Sequence, residues 1–458
     1  MTADIEASIA ATRFGLGARS GEIDAAKGDP RGYLLSQIAP KGAALARPDA
    51  PGTAVRLADL QAFNQLRKTA RLEGDPKSDP VKMAQMGLRE DAEGDFLARA
   101  RLGAATNAAF AERWSLFWAN HFTVSALKVV TAPLVGPFED EVIRPHVFGR
   151  FEDMLVASSQ HPAMLIYLDQ AQSVGPDSFV AQRAAKNGRP PGLNENLARE
   201  IMELHTVGVD AGYSQADVTE FAKAMTGWSV GRGDHPEEPA GFMFRAAAHE
   251  PGGRAIMGRR YAEDGQAQSR AVMKDLAASP HTAHHLAIKI GRHFVGDEPP
   301  ARLTDRLARA YLGSGGQLNE VAKALVTSPE AWATDPAKFK TPYEFLVSSW
   351  RAAGLTPDDT GAIVRVMTVM GQKPFCAPSP KGWPEEAETW AAPDAIVKRM
   401  AWSEDFAAKS ASQQDPMVLA QNALGARLTP AAAKAISRAE TRAEGFSILL
   451  MSPEFQRR

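Results

Sequence analysis

The chain has 458 residues, a net charge of -2, 44% hydrophobic and 23% charged residues, and one cysteine, Cys376. This balance is ordinary for a globular protein and offers no global basic field, so neither nucleic acid nor an anionic membrane is an expected partner. A single cysteine precludes an intrachain disulfide, and no run of 18 or more apolar residues exists to span a membrane.

The N-terminus carries acids early and no long apolar run, so it does not read as a signal peptide, and a cytoplasmic location is the expectation by sequence. Apolar residues recur mostly at three- and four-residue spacing, which makes helix dominant. The expected fold class is all-α, a multi-helix array with a small β-hairpin or irregular insertion near 229–262. Three segments are expected: 1–52 as an N-terminal helical segment, 53–355 as the main helical domain, and 356–458 as a C-terminal helical segment packed on it.

In chain order, a helix over 2–11 ends in R-F-G-L-G at 13–17. No strand precedes these glycines and no third glycine follows at the right spacing, so they mark a helix stop and turn. Short helices follow near 21–27 and 30–38, then a linker at 39–52. Residues 53–73 and 80–102 read as long amphipathic helices joined by G-D-P-K-S-D-P. The 107–122 helix places Trp114, Phe117, Trp118, His121 and Phe122 on one broad face. A histidine there is ordinarily a core residue with one hydrogen bond; its functional reading is a metal ligand or a base in an apolar pocket. Helices at 151–158 and 161–169 lead to a polar loop at 170–192, a length uncommon in loops without function.

Residues 194–228 hold the densest chemistry: Glu195, Glu200, Glu203, His205, Asp217 and Glu220 on two helices around a Gly-containing turn. On the 195–207 helix, Leu197, Ile201 and Leu204 form the apolar face with His205 at its edge. Glu200 and Glu203 are close at i,i+3 on the other side, so this helix by itself does not assemble a Glu–Glu–His site. The structural reading is a salt-bridge hub: Glu195 with Arg199, Arg199 with Glu203, and Arg113 or Arg144 reaching the remaining acids. Ser214 and Asp217 form a capping box. Short β-like runs at 241–245 and 254–258 flank His249-Glu250. Helices resume at 264–278, 281–295, 300–313 and 317–326. H-T-A-H-H at 281–285 reads as a local histidine cluster because the acid of an H-E-x-x-H motif is missing. Further helices are expected at 342–354, 360–371, 394–408, 415–425 and 429–451, with a loop at 371–384 in which Cys376 is an ordinary thiol. The Ser-Pro-Glu echoes at 328–330 and 452–454 read as helix caps.

Several of these stretches together resemble one family. R-F-G-L-G at 13–17, E-R-W-S-L-F-W-A-N-H-F at 112–122, H-P-A-M-L-I-Y-L-D at 161–169, the long motif at 194–220, A-M-T-G-W at 224–228 and P-S-P-K-G-W-P at 378–384 resemble the bacterial family catalogued as domain of unknown function 1800. The resemblance runs from about residue 10 to the C-terminus. It implies a mostly helical protein with no established reaction, often encoded beside a sulfatase-like protein, which is the partner it suggests; export together with that partner is compatible with it. The chain departs from the usual pattern at Ala119, where a histidine is common, at Leu197, where a tyrosine is common, and at Glu250, where an aspartate is common.

Two functional readings follow. In the first, the protein is an enzyme in which His121, Glu200, Glu203 and His205 bind a divalent metal as cofactor, with Glu220 or His249 as the acid–base group. In the second, it is a non-catalytic accessory protein for the sulfatase-like partner, and the motif residues only fix the fold. Handling of a polysaccharide or envelope substrate rests on gene neighbourhood alone and has no residue behind it.

Overall fold

A computed structural model describes residues 2–186, 192–231, 233, 240–335, 338–410 and 414–458. Among the described residues the molecule is mainly helical, with two small antiparallel sheets, and the caps foreseen in the sequence explain many of its boundaries. Ser214 and Asp217 form the capping box that starts the Gln215–Met225 helix, and Thr341 and Glu344 form another before Pro342–Ala353. Ser452 caps the Pro453–Gln456 turn by accepting from the Phe455 N–H at 3.3 Å. Ser328 makes no such bond. Among the described residues, no helix is long and apolar enough to cross a membrane.

Two local expectations are corrected. The 170–192 stretch is not a continuous loop: it holds a 3-10 turn, Gln170–Gln172, and a helix, Phe179–Ala185. Ser178 caps that helix, and Val174, Ala181 and Ala248 bury one another beneath it; residues 187–191 lie outside the described set. The small β insertion expected near 229–262 is present as two two-stranded sheets among the described residues. Strand β1 (Trp228–Gly231) pairs with β2 (Gly241–Phe244), and β3 (Arg254–Ile256) with β4 (Arg259–Tyr261); residues 232 and 234–239 of this insertion are outside the described set. The expected helix over 429–451 is two helices, Pro430–Ser437 and Arg442–Met451, because the Thr441 side chain caps a new start by accepting from the Glu444 N–H.

The Asp79–Ala105 helix joins two apolar clusters. Its first half sends Val81, Leu88 and Ala92 into a core that includes Trp114, Trp118, Ile201, Phe221 and Phe294. Its second half sends Phe96, Leu97 and Ala100 into a core built on Phe345, Leu346, Phe446 and Leu449.

Buried guanidinium groups tie these layers together. Arg144 is fully buried and donates to both Glu112 oxygens at 2.7 and 2.9 Å and to Glu139 at 2.6 Å. Burial pushes the Glu139 carboxyl up, but Arg144 and Arg99 outweigh that and hold it below its ordinary range. Arg351 donates to both oxygens of Glu22 and to the carbonyls of Gly17 and Gly103. Arg113 donates to the Gly15 carbonyl and to Glu344. Arg113 and Arg144 are thus committed here and do not complete the salt-bridge hub of the central motif.

Removing one partner of such a group leaves an uncompensated buried charge. Arg144→Met is therefore expected to lower the unfolding free energy by about 3–5 kcal/mol in denaturant titrations. Adding Glu112→Gln and Glu139→Gln to it should recover part of the loss. A loss below about 1 kcal/mol would show that the carboxylates do not need Arg144.

Candidate functional site

The central motif folds as the helix Asn196–Glu200 continued by a π-turn, Ile201–His205. Its acids become a tie between helices. Glu195 accepts from Thr219 Oγ1 at 2.6 Å, Gln215 Nε2 at 2.7 Å and Arg199 at 3.2 Å, and Arg199 also reaches Glu203 at 3.4 Å. Glu200 is half-buried, and burial followed by Glu203 raises its pKa. Asp217, besides its cap, accepts from the Met257 N–H at 2.6 Å. Glu220 accepts from Lys223 at 2.7 Å and Arg254 at 3.1 Å. Burial pushes the Glu220 carboxyl up, and these two cations hold it below its ordinary range. His249 is buried, donates from Nδ1 to the Thr226 carbonyl at 2.9 Å, and packs edge-on to Phe244.

The wide π-turn exposes its last carbonyls, and two histidines from other elements cap them. His121, at the end of Ala109–His121, donates from Nε2 to the His205 carbonyl at 3.1 Å. His285, on Pro280–Phe294, donates from Nε2 to the Leu204 carbonyl at 3.0 Å. The acceptors assign the proton to Nε2 in both rings. Glycine is required at 208, where φ is +80° and a Cβ would lie 2.8 Å from His285 Nδ1.

His205 stands 5.8 Å from His121, centroid to centroid. It is buried, and neither ring nitrogen has a partner among the described residues; Nδ1 of His121 is likewise unpaired. Burial, then Lys289, pulls His205 down to about 3 and His285 to about 4. Burial and Lys289 also hold His121 well below its ordinary value, so all three rings are neutral at pH 7.

The structure therefore brings together His121 and His205 of the expected metal set, but not Glu200 and Glu203, which stand with Arg199 and Tyr213. Among the described residues, no group of three or more His, Cys, Asp or Glu side chains is placed to hold a metal ion. Glu220 and His249 lie toward the insertion, one bound to Arg254 and the other to Thr226. His281 and His284 are exposed and apart from the capping role of His285.

His121 lines a cleft of about 340 Å³ between Ala109–His121, Pro280–Phe294 and the loop around 378–389. That volume falls in the range of small-molecule sites, about 300–1,000 Å³. The loop is pinned by Asn120, which accepts from the Trp383 N–H at 2.7 Å and donates to the Trp383 carbonyl at 3.0 Å. Gly382 is needed for this approach: its φ is +89°, and a Cβ would meet the Asn120 carbonyl at 2.5 Å. A larger cavity of about 770 Å³ beside β1 and β2 is lined by Leu57, Leu60 and Val230, and its arginine, Arg245, is bonded to the Ala171 carbonyl.

The cleft is rich in cations. Lys289, Arg292 and Lys381 line it, together with Glu385 and Glu386. Glu385 is engaged by His293 at 2.8 Å, and the bond and the charges around it hold its carboxyl at about 2 against the upward push of burial. Glu386 faces Arg292 at 3.9 Å. Lys289 is half-buried and makes no hydrogen bond or ion pair among the described residues. Burial pulls it down to about 8, and Lys381 and Arg292 add to that against the opposing pull of Glu385.

Reading the sequence for acids and histidines missed Lys289, Arg292 and Lys381. A signal was present: His281, His285, Lys289 and His293 recur at a spacing of four, a stripe on one helix face.

The chain matches the model of a family described as a protein of unknown function, DUF1800, over residues 9–457, and it belongs to that family. No curated protein and no solved structure matches it.

The Lys289 ammonium is half-buried and has no partner among the described residues, so replacing it should help the fold. Lys289→Met is expected to unfold at a higher temperature than the parent at pH 7. The unfolded lysine titrates at 10.5 and the folded one at about 8, so within that window the unfolded chain binds more protons and the parent gains stability as pH rises. The gap between the two melting temperatures should then narrow between pH 8 and 10.5. A gap of constant size would refute the desolvated lysine.

Proposed function

We propose, for this member of the DUF1800 family, that the cleft beside the 378–389 loop binds a small anionic ligand whose charge rests among Lys289, Arg292 and Lys381. One observation carries the reading: Lys289 lies half-buried in a cleft and, among the described residues, no carboxylate forms an ion pair with it. An ammonium so placed is destabilising until something supplies the opposite charge. A carboxylate, phosphate or sulfate group does so.

The metal-dependent reading draws support from the unpaired nitrogens of His121 and His205. It requires a dication next to Lys289 without the help of Glu200 and Glu203, and like charges at close range oppose one another. An anion in the cleft meets Glu385 and Glu386, but the first is engaged by His293 and the second faces Arg292.

The test is thermal unfolding in rising phosphate, with ionic strength held constant by chloride. A ligand that binds only the folded state raises the midpoint as its concentration passes the dissociation constant. The parent midpoint should climb and saturate, whereas the Arg292→Gln/Lys381→Gln double variant should need about tenfold more phosphate for the same rise. Superimposable curves for the two proteins would sink the reading.

A further inference from the structure

We propose that Lys289 is also a nucleophile, whose amine condenses with the carbonyl of a small oxo acid to form an imine while Arg292 and Lys381 hold the acid group. The inference rests on the anion reading for the orientation of its substrate. Other buried lysines of this chain are engaged. Lys338 donates to Asp297 at 2.8 Å and to the Glu385 carbonyl. Lys340 donates to Ser348 Oγ at 2.9 Å and stands 3.9 Å from the Phe455 ring centroid. Lys289 has no such contact among the described residues and faces a cleft large enough for a small molecule.

Its surroundings are those that activate an amine. Burial disfavours the ammonium, and two neighbouring cations weaken its hold on the proton. At mildly alkaline pH a substantial fraction is therefore free amine, unlike an exposed lysine. His121 lines the same cleft as a neutral ring, with Nε2 holding its proton on the His205 carbonyl and Nδ1 unpaired.

The steps balance without an added oxidant or reductant. The Lys289 lone pair attacks the carbonyl carbon and forms the C–N bond. One nitrogen proton passes through solvent at the open cleft to the carbonyl oxygen, giving a carbinolamine. A second transfer along the same route expels that oxygen as water and leaves the C=N bond. Amine and carbonyl compound become imine and water.

The intact protein is incubated with pyruvate and cyanoborohydride at pH 8, digested, and its lysines compared by mass spectrometry. Lys289 should carry the reduced adduct about tenfold faster than exposed Lys274, and added phosphate should slow labelling at Lys289 but not at Lys274. Lys289→Arg should lose that adduct and keep the phosphate-dependent rise in unfolding temperature. Equal labelling of Lys289 and Lys274 in the parent protein overturns the nucleophile. If the phosphate titration still saturates in that case, the binding reading stands; if phosphate has no effect while Lys289 labels selectively, the anion reading fails and the reactive amine stands.

Discussion

Two hydrogen bonds, from His121 to the His205 carbonyl and from His285 to the Leu204 carbonyl, hold three separate elements at one point. They exist because the central helix widens into a π-turn over Ile201–His205 and leaves its last carbonyls without intrahelical donors. Buried carbonyls must be paired, so each draws in an imidazole. The consequence reaches beyond capping. Once His285 is fixed against the turn, Lys289, one helical turn further along Pro280–Phe294, is carried into the space beside His121.

Several guanidinium groups elsewhere in the interior are matched by carboxylates. Arg144 and Arg351 are each matched by bidentate carboxylates, and Arg113 is matched by Glu344. These pairs cost desolvation and recover it through geometry, so they hold the layers in one arrangement. Lys289 follows the opposite rule. Its nearest carboxylate influence is Glu385, which is already bound to His293. The 378–389 loop completes the enclosure, because Asn120 clamps the Trp383 backbone and Glu385 is held from beneath.

Much of this was legible in the chain. The helical class, the Ser214–Asp217 capping box, the Glu195–Arg199–Glu203 hub and the buried setting of His121 all follow from spacing of three or four residues, which a helix converts directly into neighbours. The family motifs also fell on the elements that form the cleft, although P-S-P-K-G-W-P held no acid or histidine to draw attention. Where the reading went astray, contacts distant in sequence decided. The helix Phe179–Ala185 packs on Ala248, distant in the chain. Arg113 and Arg144 were drawn to Glu344, Glu112 and Glu139 rather than to the central acids.

By itself, then, the sequence determined which residues share a helix face and which side chains can cap their own helix, because those relations depend only on a fixed rise and turn per residue. It also separated Glu200 and Glu203 from His205 by angle. Only the tertiary structure decided that His121, His205, His285 and Lys289 meet. They come from three elements as much as 168 residues apart, counted from His121 to Lys289. It was also the tertiary structure that left the lysine without a partner. Burial and the absence of a counter-charge are properties of everything packed around a group, and no local spacing encodes them.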